Sequence, residues 1–198
     1  MTSEELDVKM RLLHAAKSLF ARQGYDGTSV RQICEEAGAN VALVSYHFGG
    51  KENVFQALFE TFFPNKDIIE FMKVQHHPAE GIRLIVREVT NFRMREPELM
   101  RILQHEITLQ SPRMDIIRKH AFPVWGELRE LLRRGREDGL FRFQSLNYTF
   151  LTVLGGILFH KQTDYFAPLL DDEPLDVELF IEDTAAFILA GLRYEEQR

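Results

Sequence analysis

The sequence predicts an all-α protein with a three-helix N-terminal head and a larger helical remainder. Apolar residues recur at helical spacing from Leu12 onward. Glycines and capping residues cut the stretch from Gly24 to Gly50 into short helices. Beyond residue 77, prolines set off long helical segments, and no strand alternation, internal repeat or low-complexity tract interrupts them.

The elements follow in order. Leu12, Ala16, Leu19 and Phe20 mark the first helix, and Gly24 supplies its stop. Thr28 is expected to cap a short second helix that buries Val30, Ile33, Cys34 and Ala37 and ends at Gly38. Asn40 caps a third, which ends at Gly49-Gly50. Lys51 to Phe63 reads as a fourth, with Val54, Leu58 and Phe62 on one side; Pro64 and Asn65 break it, and Ile68, Ile69 and Met72 extend it. Further helices open at Pro78, Pro97 and Ser111-Pro112, because proline is tolerated in a first turn. Pro123, inside the last of these, is expected to kink or split it. Ser145 starts a helix towards Phe166, and after Asp171-Asp172-Glu173-Pro174 a final helix runs from about Asp176 to Tyr194. The expected division is a head over 1–65 and a second domain over 66–198.

Composition bounds the function. With 198 residues and 45% hydrophobic content, the chain can bury a sizeable core. The lone Cys34 excludes an internal disulfide framework and fits a reducing, cytoplasmic setting, with a buried packing role. The apolar runs at 150–159 and 185–192 fall short of the ~20 residues a bilayer span needs, and the acidic first ten residues do not resemble a signal peptide. Net charge is -6 overall, and residues 1–64 carry six cations against eight acids. Bulk charge therefore argues against a polyanion partner, and any case for DNA rests on local geometry.

That geometry lies in Thr28 to Glu52. Two short helices joined at a glycine corner form a helix-turn-helix, which places its second helix in the DNA major groove. Val44 and Phe48 are four apart and anchor the third helix on the other two. Val41, Ala42 and Leu43 are placed to touch thymine methyls; Tyr46 and His47 can donate to phosphates or base edges. Arg31 can pair with guanine through two parallel hydrogen bonds. Lys51, and Thr28 or Ser29, stand at helix starts suited to phosphate. Spacing alone leaves a structural bundle equally open, with Tyr46 and His47 packed on a neighbouring helix.

Residues 9–59 resemble the N-terminal module of the tetracycline-repressor (TetR) family. The matching features are Ala15-Ala16, Leu19-Phe20, Gly24-Tyr25, Thr28-Ser29, Ile33, Ala37-Gly38, Tyr46-His47-Phe48 and Lys51-Glu52. The resemblance implies a cytoplasmic homodimer whose three N-terminal helices bind a palindromic double-stranded DNA operator, usually as a repressor. It also implies a C-terminal domain that binds a small effector. By matching position it makes Arg31, Val41, Ala42, Leu43, Ser45, Tyr46 and His47 DNA contacts, and Lys51 a phosphate contact. The chain departs from the family pattern at Asn40, Ala42, Leu43 and Ser45, so the operator sequence does not transfer.

In the remainder, Phe92, His105, Phe122, Trp125 and Phe150 are the candidate effector-binding residues, with Pro123 expected to open space beside two of them. Glu106 is either a ligand handle or half of a buried pair. Leu151, Leu154, Gly155 and Leu158, with Phe180, Thr184, Phe187 and Ile188, form two apolar stripes suited to a four-helix dimer interface; burial of both stripes within one subunit is the alternative. His160 and Asp164 share a helical face, which a surface hydrogen bond explains. No H-E-x-x-H, C-x-x-C or paired-carboxylate pattern appears, so neither metal, cofactor nor enzymatic activity is expected. A protein-interaction module or an effector sensor without direct DNA reading is the competing class; it makes Arg31, Tyr46 and Lys51 dispensable.

Overall fold

The computed structural model describes residues 3–63, 77–159, 166–171 and 176–195. Among these residues there are nine α-helices, one short 3-10 turn and no strand. The helices are α1 (Ser3–Gln23), α2 (Val30–Ala37), α3 (Val41–Phe48), α4 (Lys51–Phe62), α5 (Pro78–Arg95), α6 (Pro97–Leu109), α7 (Met114–Glu137), α8 (Leu146–Leu158) and α9 (Val177–Gly191). The expected continuation past Pro64, and the His160–Asp164 pair, lie outside the described residues.

The chain forms two compact units, but they are not consecutive in sequence. The first comprises Met1–Asn65 together with Arg95–Phe122; the second comprises Lys66–Met94 and Pro123–Arg198. The expected division at residue 65 differs from this, because α6 and the first half of α7 pack with the head. The reason is chemical. Lys17 of α1 is 7% exposed, and its ammonium sits 2.7 Å from the Glu96 carboxylate and 4.0 Å from the centre of the Phe62 ring. A buried lysine requires such a partner, and its partner stands just before α6.

In the first unit, α1 packs on α2, α4 and α6, and α3 packs on α2 and α4. Leu12, Leu13, Ala16, Ile33, Val44, Val54, Phe55, Leu58 and Phe59 are fully or almost fully enclosed. Each larger aliphatic or aromatic side chain among them contributes about 1.5–3 kcal/mol on burial. Cys34 is 1% exposed, and burial, with Glu35 nearby, raises its thiol above the ordinary range. It is a packed, unreactive thiol.

The second unit is built on Ile82, Ile85 and Val86 of α5, Leu128, Leu131 and Leu132 of α7, Val153 and Ile157 of α8, and Ile181, Ala185, Ile188 and Leu189 of α9. Phe141 folds back onto α7 at Gly135, where a Cβ would collide with the Phe141 ring. Only glycine permits that approach. Contrary to expectation, Pro123 does not split α7, which runs unbroken for 24 residues. Val124, Leu128, Leu131 and Leu132, all buried just beyond it, hold the helix past the missing N–H.

Candidate nucleic-acid interface

The corner between α2 and α3 is set by local chemistry. Ser29, not Thr28, caps α2. Its hydroxyl accepts from the Gln32 backbone N–H, and the Gln32 side chain accepts from the Ser29 N–H at 2.8 Å, a complete capping box. Gly38 closes α2 with φ 61°, and the Ala39 N–H reaches the Cys34 carbonyl at 2.9 Å. That left-handed turn favours glycine. Asn40 opens α3, its side-chain oxygen accepting from the Ala42 N–H at 2.9 Å, and Gly49 ends it in the same left-handed region.

These caps leave α3 eight residues long, with Val44 and Phe48 as its buried anchors. The rest of its surface is exposed or half-buried. Val41 is 48% exposed and Tyr46 is 72% exposed; Ala42 and Ser45 are exposed, and Leu43 and His47 are half-buried. Tyr46 and His47 meet edge to face, 4.9 Å between ring centres. Tyr46 is thus largely in solvent, while His47 is half-buried near Lys9 of α1 and Gln56 of α4. The helix offers methyl groups, a hydroxyl, a phenol and an imidazole along one outward face, the set of groups that base edges and phosphates accept.

Two expected contacts are corrected. Thr28 is 2% exposed and its hydroxyl donates to the Gly24 carbonyl at 2.8 Å, so its side chain closes the α1–α2 turn rather than facing a ligand. The Lys51 ammonium donates to the carbonyls of Tyr25 and Thr28 at 2.9 and 2.8 Å, and lies 4.1 Å from the centre of the Tyr25 ring. Burial lowers its pKa. Lys51 pins the preceding loop by bridging the Thr28 carbonyl and the Tyr25 carbonyl, the latter also accepting from the Thr28 N–H at 3.1 Å. Arg31 is exposed and its Nε donates to Glu35 at 2.8 Å, a surface pair that a phosphate or guanine can displace.

A further set of residues escaped sequence reasoning. The Arg113 guanidinium lies 3.8 Å from the centre of the Tyr25 ring and donates from Nε to Glu106 at 2.8 Å. Glu106 is 2% exposed and also accepts from the Ser111 hydroxyl. Arg113 approaches Asp26 at 3.8 Å. Burial raises the Tyr25 pKa, against the opposing pull of Arg113. The α1–α2 corner, from which the reading helix is hung, is thus gripped by a charged cluster on α6 and the turn that follows it. Glu106 takes the buried-pair option, not that of a ligand handle. No local signal marks Arg113, since its partners come from separate segments of the chain.

The effector candidates do not share one environment. Phe92 is 6% exposed, and Trp125 and Phe150 pack against the core of the second unit. His105 is exposed, with its ring against Gly24 of the head, and Phe122 is 59% exposed. Neither of the last two belongs to an enclosed site within its own unit, because each faces outward from its helix. Of the interface candidates, Leu151, Gly155, Leu158 and Phe187 are exposed, with Leu151 at 61% and Phe187 at 80%. Leu154, Phe180 and Thr184 are half-buried. Ile188 is 6% exposed and is a core residue, packed into the unit that holds α8 and α9.

Comparison with known proteins follows the same lines. Residues 12–58 match the family model for bacterial regulatory proteins of the tetR family, and residues 78–177 match the tetracyclin repressor-like C-terminal domain. The HTH-type transcriptional repressor NicS of Pseudomonas putida is 26% identical over 195 residues, covering 92% of this chain and 91% of its own. The crystal structure of HlyIIR, a hemolysin II transcriptional regulator, superposes with a TM-score of 0.77 at 27% identity, covering 96% of this chain and 99% of its own. AibR, solved with isovaleryl coenzyme A and operator DNA, shares the fold at a TM-score of 0.71 and 19% identity, covering 91% and 97% of the two chains. No helix among the described residues is long and apolar enough to cross a membrane. The chain belongs to the TetR family and is a DNA-binding, helix-turn-helix transcriptional regulator.

Proposed function

We propose that this protein acts as a homodimeric repressor that reads a palindromic operator through α3 and leaves it when a small effector binds the C-terminal unit. The observation that carries this reading is the outward face of α3, held by two buried anchors and exposing Val41, Ala42, Ser45 and Tyr46. Val41, Ala42, Leu43, Ser45, Tyr46 and His47 supply the base and phosphate contacts, with Arg31 and Ser29 flanking them on α2. Asn40 serves through the cap it makes, which fixes the backbone of the first turn.

Dimerisation rests on the exposed apolar side chains of α8 and α9. Tyr148, Leu151 and Leu158 on α8, Phe159 just after it, and Leu179 and Phe187 on α9 are each at least 38% exposed. No charged residue occurs within α8. Such a surface favours burial against its own copy in a four-helix bundle. Twofold symmetry then separates the two reading helices by about one turn of DNA, ~34 Å. Effector-driven release is a population shift, and it requires tighter effector binding to the conformer whose reading heads are misplaced. The solved complex of AibR with both an acyl-coenzyme A and operator DNA gives a precedent within the fold.

The test is a salt-dependent gel shift on DNA upstream of the protein's own gene. Wild type is expected to bind a palindrome with a steep loss of affinity as salt rises, through displaced counterions. Tyr46→Ala is expected to weaken specific binding while leaving non-specific binding and folding intact. Equal binding by wild type and this variant would remove α3 as the reading helix.

A further inference from the structure

Among the described residues, the second unit holds a buried cation with no anion beside it. Arg93, near the end of α5, is 8% exposed. Its Nη1 donates to the Ile157 carbonyl at 3.0 Å, and its Nε is buried without a hydrogen-bond partner. The two arginines before it on the same helix are matched, Arg83 with Glu80 and Arg87 with Glu178. Arg93 has no carboxylate partner among the described residues. Burial lowers its pKa to about 10, which still leaves it charged at neutral pH. One turn earlier on the same face, Thr90 is 1% exposed and its hydroxyl is also buried without a partner. Ile157 of α8, whose carbonyl Arg93 meets, belongs to the apolar core of this unit, as do Val89 of α5 and Val153 of α8.

Folding does not normally leave such groups unmatched. A buried guanidinium retains the full cost of desolvation unless an anion compensates it, and a buried hydroxyl costs likewise. The carbonyl at the end of α8 supplies a partial negative charge for one N–H only. An arginine Nε and a threonine hydroxyl, three residues apart on one helical face, are the donors left buried without a partner here, and a carboxylate, with two acceptor oxygens, is the anion that suits such a pair. A phosphate dianion would need more positive charge than this single guanidinium, and the aliphatic walls suit an apolar body.

We infer that Thr90 and Arg93 form the anion-recognition point of the effector site, and that the effector is a small monocarboxylate with an apolar body. This rests on the effector-responsive reading above and gives it a ligand class. The location also connects to the head along the chain: Arg93 lies three residues before Glu96, whose carboxylate holds Lys17 of α1. A carboxylate drawn onto Arg93 therefore acts, in sequence, within about one turn of a residue that anchors the DNA-reading unit.

The experiment uses the full-length protein and matched probes: hexanoate and benzoate, each against its neutral amide. Thermal unfolding and calorimetry are read for wild type, Arg93→Met and Thr90→Val. The carboxylates are expected to raise the wild-type Tm, since they bind the folded state alone, and the amides are not. Arg93→Met is expected to bind the carboxylates at least about tenfold more weakly, from the loss of charged hydrogen bonds. Without ligand it is expected to melt at or above the wild-type temperature, because an unmatched buried charge has gone. Thr90→Val is expected to fold normally and to bind several-fold more weakly. Equal response to acid and amide overturns the inference, as does no response of the wild type at millimolar carboxylate. A lowered ligand-free Tm or failed folding in Arg93→Met also overturns it, by making Arg93 a structural cap for α8. Operator binding is measured in parallel. Loss of specific DNA binding in wild type would strike the regulator reading alone, while the Tm responses would still decide the carboxylate site.

Discussion

α3 and α8 are built on the same plan and turned to different ends. Each has two buried residues four apart, Val44 and Phe48 in α3, Val153 and Ile157 in α8. Each leaves about half of its residues exposed, and neither contains a Lys, Arg, Asp or Glu. Solvent-facing helices are normally charged there. The chemistry of the outward faces separates them. α3 shows Ser45, Tyr46 and His47, groups that donate and accept hydrogen bonds. α8 shows Leu151 and Leu158, with Gly155 between them and Phe159 at its end. On the proposed reading, the hydroxyl, phenol and imidazole of α3 suit nucleic acid, and the exposed Leu151, Leu158 and Phe159 at α8 suit a second copy of the chain.

The largest expected effect tests the apolar half of that comparison. Phe187→Glu places a charge on the exposed apolar face of α9, and an unpaired charge in a closed interface costs about 3–5 kcal/mol. Sedimentation is expected to show a dimer for the wild type and monomers for this variant, with unchanged helicity by circular dichroism. A dimer surviving this change would move the interface elsewhere. A comparable loss, now in stability of the head, is expected from Arg113→Ala, which strands the buried Glu106 carboxylate at a cost of about 3–5 kcal/mol. Denaturant unfolding measures it, and Arg113→Ala with Glu106→Gln is expected to recover part of the loss.

The hydrogen-bonding half predicts smaller changes. Tyr46→Ala is expected to weaken specific operator binding by about 1–3 kcal/mol for each half-site it no longer reads, yet to alter stability by under about 0.5 kcal/mol, as surface changes do. Anisotropy titrations and thermal melts together separate the two. The smallest effect belongs to the cap. Ser29→Ala removes one side of the capping box and is expected to cost about 1 kcal/mol of stability, with weaker DNA binding following from a frayed α2 and from the lost hydroxyl beside the phosphates.

The same contrast explains what the sequence made legible. The bounds of α2, α3, α5 and α6 follow from Gly38, Asn40, Gly49, Pro78 and Pro97, because caps and prolines act on the backbone within a turn of themselves. The family follows from the head for the same reason: its motif is local. The binding of Lys51 to the Tyr25 and Thr28 carbonyls was not legible, since an exposed cation at a helix start and a buried pin have the same spacing. Nor was the assignment of α6 to the head, which depends on Lys17 meeting Glu96 across 79 residues. Thr28 and Ser29 are adjacent candidates for one cap, and the choice is made by the Gly24 carbonyl that captures the threonine hydroxyl. Pro123 shows the converse: a strong local breaker is overruled where buried leucines hold both turns that follow it.

The central claim is that α3 is the surface that meets DNA. Amide hydrogen exchange of the full-length protein, with and without a palindromic fragment from upstream of its gene, tests it directly. Slower exchange over residues 41–48 on adding DNA, with α8 and α9 unchanged, is the predicted result. Specific binding that leaves 41–48 exchanging as before would contradict it.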